Sequence, residues 1–450
     1  MWLAIISSAL LLGSAHWWPY ACWWMTGIFL IPLFYHVCAL SSFTMLHGFC
    51  WGLVFFGMQL RAVLQLIMRY HGIGVLSLIG AALLAIYFAL HASIWFWLAQ
   101  KLARCNFYAL WWHAVSWMVI TYLFFFWLYR HGLWMVDNQQ GYFGALFWLP
   151  MATNPSLLYV IPVFGILGFS WLLIVVAMLC SLWFYTNKQL WGLIILGILT
   201  MYLIGLYKTT PHVVDVPPWL DNVVWLKDNY VLTEHPHDRA HRITQSLIEG
   251  KKCNTTASIF LLPESACPFS LNHYEHVVTW WYAALEEDNT WMVIGGHRKE
   301  GNQLYNAIFL THNAQVQKFY DKKHLVPFFE YLPYDIQKSN IKGLQNINSN
   351  FFTPGDSEIQ SISAWCPLIP IICAELFLAT NICTLAPGTV RLCMVHDGWF
   401  DASSSMPILM YLYAQVRACT EKSPYLYIGH HYGFYITSTG RAISLRNSSF

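Results

Sequence analysis

The sequence is poor in charge. Charged residues make up 10% of its 450 positions, against about 25% in soluble domains, and hydrophobic residues reach 57%. The formal net charge is +2, so nucleic acid and other polyelectrolytes are not expected partners. Paired cysteine spacing is also lacking. The twelve cysteines include no CxxC, which argues against a disulfide framework or a zinc ribbon. No metal or other cofactor is expected.

What is present divides the chain in two. From Met1 to Tyr207 it is a series of long apolar runs with few ionisable residues. From Lys208 onward its composition is that of an ordinary soluble protein, with runs such as "LKDNY", "EHPHDRAHR" and "FYDKKHL". Between them, "KTTPHVVDVPP" breaks any helix. This reading gives a transmembrane helical bundle over 1–207, a linker over 208–220 and a second domain over 221–450.

A membrane-spanning helix needs about 20 apolar residues, because about 30 Å of hydrocarbon is crossed at 1.5 Å per residue. Six runs meet this requirement: Tyr20–Leu40, Thr44–Met68, Val75–Leu98, Phe107–Tyr129, Leu157–Tyr185 and Leu190–Tyr207. A shorter one, Trp2–Leu12, is followed by "GSA" as in a signal peptide. No lysine or arginine precedes it and another apolar run follows, so it reads as a retained first helix. Seven spans put the N-terminus and the soluble half on opposite sides of the membrane. Flanking basic residues do not orient the bundle: Lys101, Arg104 and Lys188 stand on one side, Arg69, Arg130 and Lys208 on the other. His47 and Arg61, inside Thr44–Met68, read as snorkelling or paired within the bundle, with a polar contact to lipid headgroups or substrate as the sharper alternative. No repeat of charged residues marks an ion or proton pathway, which weakens a transporter reading.

The soluble half alternates strands and helices. "SIFLLPES" reads as a short strand ending at Pro263 and Glu264, and "HYEHVVTWWYAALEE" has apolar residues at helical spacing. "WMVIGGHR" reads as a strand ending in glycines, and "LYNAIFLT" as its neighbour. "PLIPIICAELF" is a strand running into Cys373, and "TVRLCMVHDGWF" is one closing at Asp397. "ILMYLYAQVRACTEK" is helical, and "PYLYIGHHYGFYITSTGRAI" gives two last strands about a turn. In such folds chemistry sits where strands stop. Glu264, Lys322, Glu330 and Cys373 occupy such places.

A free thiol, with a pKa near about 8.5, is mostly protonated at neutral pH. A carboxylate can take its proton, and an ammonium together with the N–H after the cysteine can hold the oxyanion of a tetrahedral intermediate. Glu, Lys and Cys therefore suffice for acyl transfer through a thioester. Each also has a plainer reading: Cys373 as a packed core thiol, Glu264 as a helix cap, "YDKKHL" as a solvated turn. Spacing alone does not bring the three together.

The wording of three segments goes further. "LLPESACP" (Leu261–Pro268), "YDKKHLVPFFEYLP" (Tyr320–Pro333) and "IICAE" (Ile371–Glu375) closely resemble the nitrilase, or carbon–nitrogen hydrolase, superfamily. "VHDGWF" resembles its Asp-x-Trp-Phe segment. With a polytopic N-terminal half attached, the chain resembles the apolipoprotein N-acyltransferases. That resemblance implies an α-β-β-α sandwich on a membrane bundle. It makes Glu264 the general base, Lys322 the oxyanion-stabilising lysine and Cys373 the acylated nucleophile. Glu330 becomes a supporting acid, Glu375 orders the loop after the cysteine, and Ala374 contributes a backbone N–H to the oxyanion. It further implies a phospholipid donor, a lipoprotein acceptor, and a bacterial inner-membrane location with the catalytic domain facing the periplasm.

Several positions depart from the family pattern. Ala374 stands where an aromatic residue is usual, Phe329 in place of glycine, His396 in place of asparagine, and "GHHYG" in place of an Asn-Asn-Gly segment. These bear on substrate choice more than on chemistry. The acyltransferases also return to the membrane after the catalytic domain, whereas no apolar run follows "AISLRNSSF". Conjugal-transfer proteins of the TraB type share the plan and are the nearest rival, with a different acyl or amide substrate. A catalytically silent scaffold is the third reading, disfavoured by an intact triad. His235, His237 and His241 are tolerably spaced for a metal but read as a solvated helix start capped by Asp238.

Overall fold

The computed structural model describes chiefly residues 2–29, 45–71, 75–103, 149–186, 216–227, 234–286, 289–326, 351–356, 365–377, 386–400 and 404–448, with Glu330, Tyr331 and a few isolated positions besides. The chain forms two compact units. One is chiefly N-terminal and also takes in Phe400–Thr420; the other is built from Val213–Trp399 and Glu421–Phe450.

The first unit is helical where described. Its longer described helices are Trp2–Trp17, Met45–His71, Val75–Ala103, Pro155–Thr186 and, in its C-terminal piece, Met406–Glu421. Pro155–Thr186 bends at Gly165, whose φ of 71° lies outside the helical region, three residues after Pro162. Gly48 and Gly52 let Met45–His71 approach Val75–Ala103 closely: a Cβ at Gly52 would lie 2.7 Å from the Ala89 Cα. Among the described residues, Leu78–Leu98 is long and apolar enough to cross a membrane; the bent pair Leu157–Gly165 and Gly168–Ser181 makes a second if it is one span. The expected span Phe107–Tyr129, most of Leu190–Tyr207, most of the second half of Tyr20–Leu40, and most of the expected linker lie outside the described residues.

The second unit contains two six-stranded sheets. In the first, the order is β12 (Arg446–Ser448), β1 (Val223–Leu226), β2 (Ile259–Ser270), β3 (Trp291–Glu300), β4 (Gln303–His312) and β5 (Gln315–Asp321). In the second it is β11 (Ala442–Ser444), β10 (Gly433–Ile436), β9 (Tyr425–Ile428), β8 (Val390–Met394), β7 (Pro367–Ile372) and β6 (Ile362–Ser363). The central strands are parallel: β1, β2 and β3 in one sheet, β7, β8 and β9 in the other. Strands covered on both faces read as unbroken apolar runs, and "IFLL" of β2 and "VRLCM" of β8 are buried throughout. The β4–β5 hairpin turns on Asn313 and Ala314, both at positive φ, the geometry a two-residue loop needs to match strand twist.

Helices Pro236–Cys253 and Glu275–Leu285 pack with the first sheet. Val277, Val278, Trp281, Tyr282 and Leu285 share one helical face and are buried. Trp281 donates its indole N–H to the Ala240 carbonyl at 3.2 Å. Burying each large apolar side chain here is worth about 1.5–3 kcal/mol. The two sheets are joined through polar contacts as well, among them Trp225 Nε1 donating to the Gly429 carbonyl at 2.9 Å.

Three sequence expectations change. The strand at "SIFLLPES" does not end at Glu264 but continues to Ser270. The β2–β3 ladder breaks inside it, from Leu262 opposite Ile294 to Cys267 opposite Gly296. Pro263 has no N–H to give the ladder, so the strand bulges there instead of stopping. Likewise β3 runs through its glycines to Glu300. The helix at Pro236 is capped by His235, whose side chain accepts from the His237 N–H, and Asp238 lies in the first turn. Among the described residues no cluster of His, Cys, Asp and Glu is arranged to hold a metal.

Candidate active site

Glu264 sits in the bulge of β2, made possible by the residue facing it. A Cβ on Gly295 would collide with the Pro263 carbonyl and lie 2.5 Å from the Glu264 Cα. Ser265, next in the chain, is left-handed with φ 54°. Gly295→Ala is therefore expected to push the bulge outward, costing about 1–3 kcal/mol of stability and slowing catalysis in the folded fraction. Thermal unfolding and rate measured on the same sample test both effects.

Lys322 follows the end of β5 and is fully buried. Its backbone N–H donates to the Asn306 carbonyl at 2.8 Å, and its own carbonyl accepts from Gly355 at 2.9 Å. The ammonium donates to Glu264 Oε1 at 3.2 Å and to Glu330 Oε1 at 2.9 Å. Asn306, on β4, bridges the same two carboxylates, its Nδ2 lying 2.7 Å from Glu264 Oε1 and 2.9 Å from Glu330 Oε1. Glu330 Oε2 accepts the Val326 N–H at 2.6 Å. Glu264 thus has one oxygen committed to Lys322 and Asn306. Its other oxygen, Oε2, is buried and takes no hydrogen bond among the described residues.

Cys373 begins a short 3-10 turn, Cys373–Phe377, directly after β7. Its φ of 47° is left-handed, a conformation that costs a residue with a Cβ roughly 1–2 kcal/mol. Glu375 holds this turn. Its carboxylate accepts the Ile372 N–H at 2.9 Å, the Lys323 N–H at 2.8 Å and the His324 N–H at 3.2 Å. The Tyr320 hydroxyl donates to it at 3.0 Å. One buried carboxylate therefore ties the turn of the cysteine to the segment that carries the lysine.

The electrostatics follow from burial. Burial pushes the Cys373 thiol well above its ordinary value, Glu264 and Glu330 add to this, and Lys322 and the His396 backbone N–H oppose it. Glu264 is raised chiefly by burial, against the pull of Lys322. Burial would lower Lys322, but Glu264 and Glu330 outweigh it and keep the ammonium charged. Glu264 and Lys322 both bear on the Cys373 thiol, in opposite directions. The resting site is a thiol beside a carboxylate–ammonium pair.

All four reactive candidates from the sequence are buried in this unit, and Glu264, Lys322 and Glu330 are in direct contact. Lys322 is not part of a solvated turn, and Glu264 is not a helix cap. Ala374 is buried immediately after the cysteine. Asn306 and Tyr320 were not singled out from the sequence. Asn306 left a trace, as an amide within the apolar run "LYNAIFLT", and Tyr320 opens the segment "YDKKHLVPFFEYLP" without a role of its own.

The family model described as carbon-nitrogen hydrolase matches residues 238–430. An apolipoprotein N-acyltransferase from Methylococcus capsulatus is 26% identical over 375 residues, covering 80% of this chain and 70% of that protein. One from Rhodopseudomonas palustris is 30% identical over 179 residues, covering 37% of this chain and 33% of that protein. A solved carbon-nitrogen hydrolase from Helicobacter pylori G27 is 12% identical, with a TM-score of 0.39, covering 50% of this chain and 85% of that one. Residues 238–430 match the carbon-nitrogen hydrolase family, within a chain similar along most of its length to apolipoprotein N-acyltransferases.

Proposed function

We propose that the protein is a membrane-bound N-acyltransferase that moves a fatty acyl chain from phospholipid, through a thioester on Cys373, to the N-terminal amine of a diacylglyceryl-cysteine lipoprotein. The observation that supports the chemistry is the buried Glu264–Lys322 contact in the same domain as Cys373, with Glu264 Oε2 taking no hydrogen bond among the described residues. The names of the relatives support the acceptor.

In the first step Glu264 takes the Cys373 proton as sulfur attacks the ester carbonyl. Lys322 and the Ala374 N–H stabilise the oxyanion. As it collapses the C–O bond breaks, the proton passes from Glu264 to the leaving alkoxide, and lysophospholipid departs. In the second step the acceptor amine attacks the thioester, Glu264 takes its proton, and the C–S bond breaks to return the thiol. Glu330 and Asn306 hold Lys322 and Glu264 in line, and Glu375 holds the cysteine turn.

The apolar N-terminal half has a physical reason in this reading. Each CH₂ transferred to water costs about 0.8 kcal/mol, so extracting a long acyl chain costs on the order of 10 kcal/mol. A site at the bilayer surface leaves the tails in lipid. The reading includes a bacterial inner membrane, several spans and a periplasm-facing catalytic domain.

The test is incubation of the full chain in phospholipid vesicles with a synthetic diacylglyceryl-cysteine peptide. Amide formation at the peptide N-terminus supports the reading. Acylation of Cys373 without transfer to the peptide shifts it to the TraB-type alternative, with another acceptor. The pH dependence gives a second check. Glu264 must be ionised to act, and burial raises its pKa, so acylation falls as pH drops through a value above the ordinary glutamate figure of about 4.3. Glu264→Gln should slow acylation by about 10²–10⁴-fold and abolish that acid limb.

A further inference from the structure

The bulge that carries Glu264 depends on side chains for its hydrogen bonding. Between Leu262 and Cys267 the β2–β3 ladder is interrupted, so the carbonyls of this stretch need donors from elsewhere. Two buried side chains supply them. Arg239, on the helix Pro236–Cys253, donates Nε–H to the Ala266 carbonyl at 2.7 Å. His430, in the loop after β9, places Nε2 2.9 Å from the carbonyl of Glu264 itself. A carbonyl oxygen only accepts, so this contact puts the imidazole proton on Nε2.

His430 is itself fixed. Its backbone N–H and that of His431 donate to the buried Asp397 carboxylate. The loop lies so close that a Cβ on Gly429 would meet the same carboxylate. The His430 ring packs 4.6 Å from the ring of His396, whose backbone opposes the upward shift of the Cys373 thiol. One loop therefore holds the main chain of Glu264 and packs against His396, the residue two positions past the end of β8. This histidine lies in "GHHYG", the segment that departs from the family pattern.

We infer that His430 is a positioning residue for Glu264: its imidazole holds the Glu264 carbonyl, and so fixes where the carboxylate meets the cysteine. The inference rests on the acyl-transfer reading. Ser265, at φ 54°, makes the adjoining turn a strained one, which relaxes when the hydrogen bond is removed.

The experiment is single-turnover acylation of Cys373 in the full chain, using phosphatidylethanolamine vesicles and comparing wild type, His430→Leu and His430→Gln. Glutamine places an amide N–H near the position of Nε2. For His430→Leu the saturating rate constant should fall at least about tenfold, since small misplacements of reacting groups cost up to about 10²-fold. The half-saturating lipid concentration should change less than about twofold, and the final adduct per folded chain should stay at the wild-type level. His430→Gln should recover most of the rate. A merely structural role would lower the amount of adduct and leave the rate constant of the remaining folded protein unchanged, and that result would overturn the inference. So would a rate constant for His430→Leu near wild type, or a glutamine variant no faster than leucine. If the wild-type chain forms no adduct, the acyl-transfer reading itself falls, and the inference with it. Wild-type acylation with an unaffected leucine variant removes the inference alone.

Discussion

Cys373→Ala is expected to lower acyl transfer by about 10⁴-fold or more, to the level left by binding and oxyanion stabilisation alone. The substitution removes the sulfur and little else. Alanine has the bulk to fill the Cα and Cβ positions of a buried site, and the turn after β7 is held by Glu375 through backbone N–H groups that the change does not touch. Stability should therefore change little beyond the loss of one small buried group. Turnover measured with phospholipid and peptide, alongside the unfolding temperature of the variant, separates the two effects. A variant that kept substantial transfer would show that the cysteine is a core thiol after all.

Lys322→Met carries the second large effect, and it acts on stability as well as rate. The lysine is fully buried between two carboxylates, Glu264 and Glu330, at 3.2 and 2.9 Å. Methionine preserves most of the volume but leaves two acids 2.7 and 2.9 Å from the same Asn306 amide with no cation between them. Breaking a buried ion pair in this way costs about 3–5 kcal/mol. The sign with pH follows from proton uptake. Without the ammonium, the carboxylate pair holds a proton more tightly in the folded chain than unfolded, so the folded state binds more protons over the weakly acidic range. The variant should then lose stability, relative to wild type, as pH rises from about 5 to 7.5, and recover part of it on acidification. Unfolding temperatures at the two pH values test this. The rate should fall by about 10²–10³-fold as one oxyanion donor disappears, even where the variant is folded.

The sequence and the structure differ most where register decides the outcome. Glu264, Lys322, Glu330, Cys373 and Glu375 stand out as candidates in the sequence because each lies in a worded segment that resembles a known superfamily. Strands such as "IFLL" and the helix around Trp281 were legible from periodicity. The break in β2 was not, since it depends on Pro263 meeting Gly295 across a ladder, and neither residue announces its partner. Asn306 reaches the site because β4 pairs Ala307 with Asp321, which sets it beside Lys322. Tyr320 reaches Glu375, 55 positions away, and His430 reaches Glu264, 166 positions away. Contacts of that separation exist only once both sheets are assembled. In the N-terminal half, apolar length was the sole signal, and it locates candidate spans such as Leu78–Leu98 without stating what their helices touch.

The central claim is that fatty acid rides on one sulfur, and the most direct measurement is to find it there. The full chain is incubated with vesicles whose phospholipid acyl chains are isotopically labelled, without acceptor, then digested and mapped by mass spectrometry. The account predicts label on the peptide containing Cys373, in a linkage cleaved by neutral hydroxylamine as a thioester is. Label that is absent from that peptide, or that survives the Cys373→Ala substitution, would contradict it.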